Sequence, residues 1–161
     1  MTRECLILTF CILVWWEYGN KNGLYALIHP SRADLLEVDK LAEKYKNVRW
    51  VIAHAGGSFK MADMAIAVMK KHKNVFAEIT LTPVPLGIIE YMVAAVGDDR
   101  IMYGSDLPMR DPRQQLGWLV FSNLPLASKK RILGENAYTV IEPCIKNMPE
   151  YNVPVVFRSR K

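Results

Sequence analysis

Apolar residues arrive in short bursts separated by longer, helix-spaced stretches. Leu24-Tyr25-Ala26-Leu27-Ile28, Arg49-Trp50-Val51-Ile52-Ala53, Val75-Phe76-Ala77-Glu78-Ile79 and Ile101-Met102-Tyr103 are the bursts. They lack polar alternation, which predicts strands buried on both faces. Between them, Asp34 to Tyr45 places Leu35, Leu36, Val38, Leu41, Ala42 and Tyr45 at near-helical spacing. Met61 to His72 repeats the pattern with Met61, Met64, Ala65, Val68 and Met69, and Pro85 to Val96 forms a third helix. Two or three further helices are expected near Pro112–Phe121, Pro125–Leu133 and Asn136–Ile141. Strands alternating with helices predict βα units on a parallel sheet, an α/β fold. His29 and His54 lie 25 residues apart, about one βα unit with short loops.

Both ends depart from this rhythm. Cys5 to Trp16 is an almost wholly apolar run of 12 residues. That is too short to span a bilayer comfortably. Glu4 weakens a basic leader and no small-x-small cleavage site follows, so a buried strand or helix is expected rather than an export signal. Residues 1–14 are thus set apart as an apolar segment, residues 15–141 carry the βα units, and residues 142–161 read as an irregular basic tail.

Composition narrows the function. Of the 161 residues, 51% are hydrophobic, enough for a real core and one domain. The net charge of +5 is spread over Lys70–Lys73, Lys129–Arg131 and the C-terminal tail. No recognised nucleic-acid motif accompanies it, so neither nucleic acid nor membrane is an expected partner. His72, at a Lys-rich helix end, reads as a solvated cation. Cys5, Cys11 and Cys144 form no CxxC, which argues against a disulfide framework or a cysteine zinc site and suits a reducing, cytoplasmic setting.

The candidate chemistry gathers at one edge. His29, His54, the Glu78–Thr80 stretch and Asp106 all fall at or just past the ends of predicted strands. In parallel α/β folds that edge hosts active sites. Two imidazoles and a carboxylate could bind a borderline metal such as zinc, or form a His-Asp acid/base pair. Taken singly, His29 also reads as a structural histidine, and Asp106 as an N-cap or Asx-turn residue before Pro108. Gly56-Gly57 after His54 would allow tight turning near a ligand.

Ala53-His54-Ala55-Gly56-Gly57, Lys73-Asn74-Val75-Phe76-Ala77-Glu78, Asp98 to Pro108 with its Gly104-Ser105-Asp106, and Gly134-Glu135-Asn136-Ala137 resemble the amidohydrolase-related family. The resemblance runs from about Trp15 to Ile141. It implies a metal-dependent (β/α)8 barrel, among whose members are hydrolases and nonhydrolytic decarboxylases of the aminocarboxymuconate semialdehyde type. By position, His29 resembles the fifth-strand histidine at or beside the metal. His54 resembles the sixth-strand histidine that orients water or substrate, and Asp106 the eighth-strand aspartate that binds metal and serves as base. The implied metal ligands are therefore His29, His54 and Asp106, with His54 and Asp106 catalytic. The implied cofactor is a divalent metal, zinc by donor type, acting on a small organic substrate through activated water.

The chain also departs from that family. Its only histidines are His29, His54 and His72, so the first-strand His-x-His ligand pair is missing. A full barrel takes about 250 residues. The sequence therefore reads as the last four βα units, a C-terminal half. Four such strands leave two open edges, so self-association or a companion chain is expected, with weak or absent metal binding in the isolated chain. A non-catalytic remnant is the competing expectation, and decarboxylation competes with hydrolysis.

Overall fold

The computed structural model describes residues 3–29, 34–80 and 84–147; for residues 3–12, 34 and 147 only the backbone is described. The elements run α1 (Arg3–Asn22), β1 (Tyr25–Ile28), α2 (Asp34–Lys44), β2 (Arg49–Ile52), α3 (Phe59–Lys71), β3 (Val75–Glu78), α4 (Ile88–Val96), β4 (Ile101–Met102), α5 (Pro112–Val120) and α6 (Leu126–Lys130). A π-helical turn, Arg131–Glu135, then leads into α7 (Asn136–Asn147). The four strands form one parallel sheet in the order β1-β2-β3-β4. This is the expected α/β succession of βα units.

The pairing register sorts side chains between two faces. Ile28, Ile52, Ala77 and Ile101 are aligned across the sheet, and Trp50 pairs with Val75. Alternation along each strand puts these residues on one face, here the outer face. Trp50, Ile52, Val75, Ala77 and Ile101 are fully buried there. Helices α2, α3 and α4 cover them with Leu35, Val38, Ala65, Met69, Ile88 and Met92. Of the three methionines on the apolar side of α3, Met69 is buried and Met61 and Met64 pack at the core margin.

The opposite, inner face carries Leu27, Val51, Phe76, Glu78 and Met102. Among the described residues, α7 packs into its centre: Val140 buries against Val51 and Met102, with Ala137 and Phe76 alongside. Buried Cys144 on the same helix lies 3.5 Å from the Gly23 carbonyl oxygen, at the entry to β1. Tyr25 and Leu27 on β1 stay 45% and 59% exposed.

Local sequence explains the joints. Ser58 caps α3 by accepting a hydrogen bond from the Met61 N–H at 3.2 Å. Asp111 caps α5, with Pro112 at its first turn. The Asn74 side chain donates to the carbonyls of Ala42, Tyr45 and Val48, closing the turn that feeds β3. Asn136 does the same for β4, donating to Asp98 O at 2.6 Å and Ile101 O at 2.7 Å while 5% exposed.

Three expectations need correction. The apolar N-terminal run is helical, but its last residues are not buried: Leu13, Val14 and Trp15 are 39%, 59% and 68% exposed. α1 docks through Trp16, whose ring meets Trp50 edge-on at 4.8 Å, and through Gly19. The irregular tail does not begin at residue 142, because α7 continues through Pro143 to Asn147. Proline removes one helical N–H there, but Val140 and Cys144 on either side are buried and hold the helix down. The rest of the expected tail, 148–161, lies outside the described residues. His72 is not solvated: its side chain is 10% exposed and its Nε2 sits 2.7 Å from Asp39 Oδ1. Among the described residues no helix is long and apolar enough to cross a membrane.

Candidate active site

The C-terminal ends of the four strands open into one cavity of about 520 Å³. His29, His54, Glu78, Thr80, Gly104 and Asp106 all line it, with Val140 and Ile141 of α7 as an apolar wall. The three residues expected from sequence are therefore brought to one place. The His29 and His54 rings meet edge-on with centroids 4.7 Å apart.

His54 is fixed at both ends. Its backbone sits in the left-handed region, φ 56°, a conformation that costs a non-glycine residue on the order of 1 kcal/mol or more. Its N–H donates to Glu78 Oε2 at 3.2 Å, and its ring Nδ1 lies 2.5 Å from the Thr80 carbonyl oxygen. A carbonyl oxygen only accepts, so Nδ1 carries a proton, and in the neutral ring that leaves the lone pair on Nε2. This is the tautomer a general base or a metal ligand requires.

Glu78 is the carboxylate that the sequence reading left without a role. It ends β3 and is half-buried. It accepts from the backbone N–H of His54 and of Thr80, and from the Thr80 hydroxyl. Burial raises its pKa above the ordinary glutamate value; the two N–H donors and the His54 ring pull it down, and the Asp106 charge adds to the rise. The available signal was a glutamate at an inner-face position of an otherwise apolar strand. Tyr103, next along β4, also has its pKa raised, chiefly by burial and then by the Glu78 charge.

Gly104 explains part of the Gly-Ser-Asp sequence. A Cβ there would fall inside the Glu78 carboxylate and against the Thr80 hydroxyl. The chain turns tightly after His54, whose carbonyl accepts from the Gly57 N–H at 3.1 Å, although a Cβ at Gly56 would meet Ile79 and Ile88 at ordinary distances of 3.8–3.9 Å. Asp106 has φ 55°, and its carbonyl accepts from the Arg110 N–H at 3.0 Å. Its carboxylate stands 3.9 Å from Arg110 Nε. It neither caps α5, a role Asp111 fills, nor pairs with a histidine among the contacts described.

The donor types suit a divalent cation, but the set is incomplete. Among the described residues no group of three or more His, Cys, Asp or Glu side chains is placed to hold a metal ion. A catalytic zinc takes three protein ligands.

The amidohydrolase family model matches residues 13–141. Among curated proteins no sequence matches significantly. The fold is similar to part of an uncharacterised TIM-barrel protein from Bordetella bronchiseptica, with a TM-score of 0.68 and 16% identity over 83% of this chain and 50% of that one. It is also similar to a dihydroxybenzoic acid decarboxylase from a Polaromonas species, solved with bound manganese and an inhibitor (TM-score 0.56, 15% identity, 84% of this chain and 54% of that one). An amidohydrolase from Burkholderia multivorans with bound zinc gives a TM-score of 0.61 at 13% identity, over 79% of this chain and 55% of that one. The chain thus spans about half the length of the solved proteins it matches, and its four strands are part of a barrel.

Proposed function

The chain belongs to the amidohydrolase family, and on that premise we propose that it carries half of a metal-assisted hydrolase site for a small organic substrate. The carrying observation is the His54 ring, held at Nδ1 by the Thr80 carbonyl so that Nε2 is the nitrogen free to act, in a cavity shared with His29, Asp106 and Glu78. The manganese and zinc bound by the two relatives support a divalent cation here, without choosing between the ions. His29 and Asp106 would contribute to holding it, with His54 beside them, and further donors would be needed to complete its coordination. Bound in such a site, a divalent cation lowers the pKa of water and polarises a carbonyl.

The chain's own residues supply the rest. Thr80 and Glu78 keep His54 oriented, so Nε2 can take a proton from the attacking water. Asp106 is the second base. Released from Arg110, an exposed pairing that contributes little, its carboxylate is available to the substrate. The same cavity would serve a decarboxylase, the activity named for the Polaromonas relative. The incomplete donor set favours a second reading, a half-barrel remnant without chemistry of its own. In either case β1 and β4 each have a single strand neighbour among the described residues, which leaves both edges open to pairing with a second copy or a companion chain.

Elemental analysis of the sized protein after incubation with Zn²⁺ or Mn²⁺, with His54→Ala and Asp106→Ala alongside, tests the reading. Metal that binds the wild-type chain and is lost in Asp106→Ala supports it. A wild-type chain that takes up none overturns the metal site and leaves the remnant. Acid release from small amides or lactones, against CO₂ release from carboxylated aromatics, separates hydrolysis from decarboxylation. A clean monomer in size-exclusion chromatography would count against the completing partner.

A further inference from the structure

A second cavity lies at the opposite end of the sheet, where the strands begin. It measures about 770 Å³. Its wall is built from the segments that enter β1, β2 and β3, far along each strand from His54 and Asp106. Four cations line it: Lys21, Lys46, Arg49 and Lys73. No Asp or Glu is among its lining residues.

Elsewhere on the described chain, three arginines meet carboxylates, while Arg100 donates from NH1 to the carbonyls of Met69 and His72. Arg110, Arg113 and Arg131 pair with Asp106, Asp111 and Asp98. Arg49 does not. It is half-buried, and its one bond runs from NH1 to the Gly23 carbonyl at 2.7 Å. That bond steadies the guanidinium and leaves most of its five N–H donors for another acceptor. Lys21 and Lys73 make no ion pair among the described residues, and Lys46 has only the exposed Glu43, at 3.2 Å. Asn20 uses its side-chain oxygen to accept from the Asn47 N–H, which leaves its amide N–H groups as donors.

A fixed guanidinium ringed by flexible ammonium groups, in a concavity without carboxylates, is complementary to clustered negative charge. We propose that this cavity binds a small polyanion, a ligand with two or more phosphate or carboxylate groups close together. A small ligand is favoured over a nucleic-acid strand because the cations surround one hollow rather than track along a groove.

Isothermal titration of the full chain with inorganic tripolyphosphate at low salt tests this. One site per chain is expected, with affinity falling as salt rises. Lys21→Gln/Lys73→Gln removes two cations that make no ion pair among the described residues. It should weaken binding roughly tenfold or more while leaving the thermal melt unchanged. Arg49→Gln should do the same, and the double lysine variant keeps the test sound if Arg49→Gln disturbs the Gly23 turn. Citrate as a parallel titrant separates the sources: tighter tripolyphosphate assigns a phosphate ligand, tighter citrate a polycarboxylate, and both support the site. No saturable binding, binding unaltered in the lysine variant, or tighter capture of a random-sequence DNA duplex through the same residues would overturn it.

Discussion

The two faces of this sheet are made by the same four strands, yet they are built to different ends. On the outer face Trp50, Ile52, Val75, Ala77 and Ile101 are fully buried beneath helices of the same chain. On the inner face the apolar centre shrinks to Val51, Met102 and Val140. Around it stand Glu78 at the edge of the candidate site and Tyr25 and Leu27 with much of their surface in water. The outer face holds the fold together. The inner face gives up burial for a polar cavity and leaves apolar surface in water.

The sharpest way to break that contrast is a pair of truncations. Trp50→Ala on the outer face should cost about 3–5 kcal/mol, the usual loss for a large buried aromatic side chain. Leu27→Ala on the inner face should change the stability of the isolated chain by about 0.5 kcal/mol or less, as exposed positions do. Urea unfolding of both variants checks this. Equal losses would mean that the inner face is covered in solution, by a second copy or a companion chain, and the Leu27 loss should then depend on protein concentration.

Asn136→Ala comes next, at about 2–3 kcal/mol. It strands two backbone carbonyls that the buried amide satisfies. A loss confined to the β4 end, read by hydrogen exchange at Ile101 and Met102, would show that the Gly-Glu-Asn-Ala segment serves the outer core rather than the cavity. Gly104→Ala should cost about 1–3 kcal/mol, because its Cβ and the Glu78 carboxylate claim one space. The cost should shrink in a Glu78→Ala background. If it does not, backbone conformation rather than Glu78 makes glycine necessary there.

Much of this division was legible in the sequence, and the losses have physical reasons. Unalternating apolar bursts marked the parallel strands, and residues at their ends marked the cavity, because strand ends and buried runs leave local signatures. His29, His54 and Asp106 were found for the same reason, and all three line the cavity. The burial of His72 was missed because its partner, Asp39, sits 33 residues away on α2. The role of Gly104 was missed because the carboxylate that excludes a Cβ comes from a neighbouring strand. The position of α7 was also beyond reach. Its apolar spacing predicts a helix, but which face of the sheet that helix covers depends on the π-helical turn before it and on Val140 meeting Val51, contacts with no local signal.

The finest test concerns what the inner face sacrifices. Burial raises the Glu78 pKa in the folded chain above its unfolded value, near 4.5. Below pH 4 the carboxyl is protonated in both states and its charge costs the fold nothing. As pH rises through the unfolded value, the unfolded chain releases its proton first, so the folded state holds more protons and stability falls with pH. The fall ends once pH passes the folded value, and a constant penalty remains. Glu78→Gln cannot ionise, so its stability should lack this decline and gain on the wild type between pH 4 and pH 7.5. Urea melts of both proteins at the two pH values measure the difference. A gain would show that the wild type retains a destabilising carboxylate at the edge of its candidate site, as expected of a group kept for chemistry. An unchanged difference would mean that the His54 and Thr80 N–H donors fully offset the burial, and that the inner face, for all its polarity, costs the fold nothing at this position.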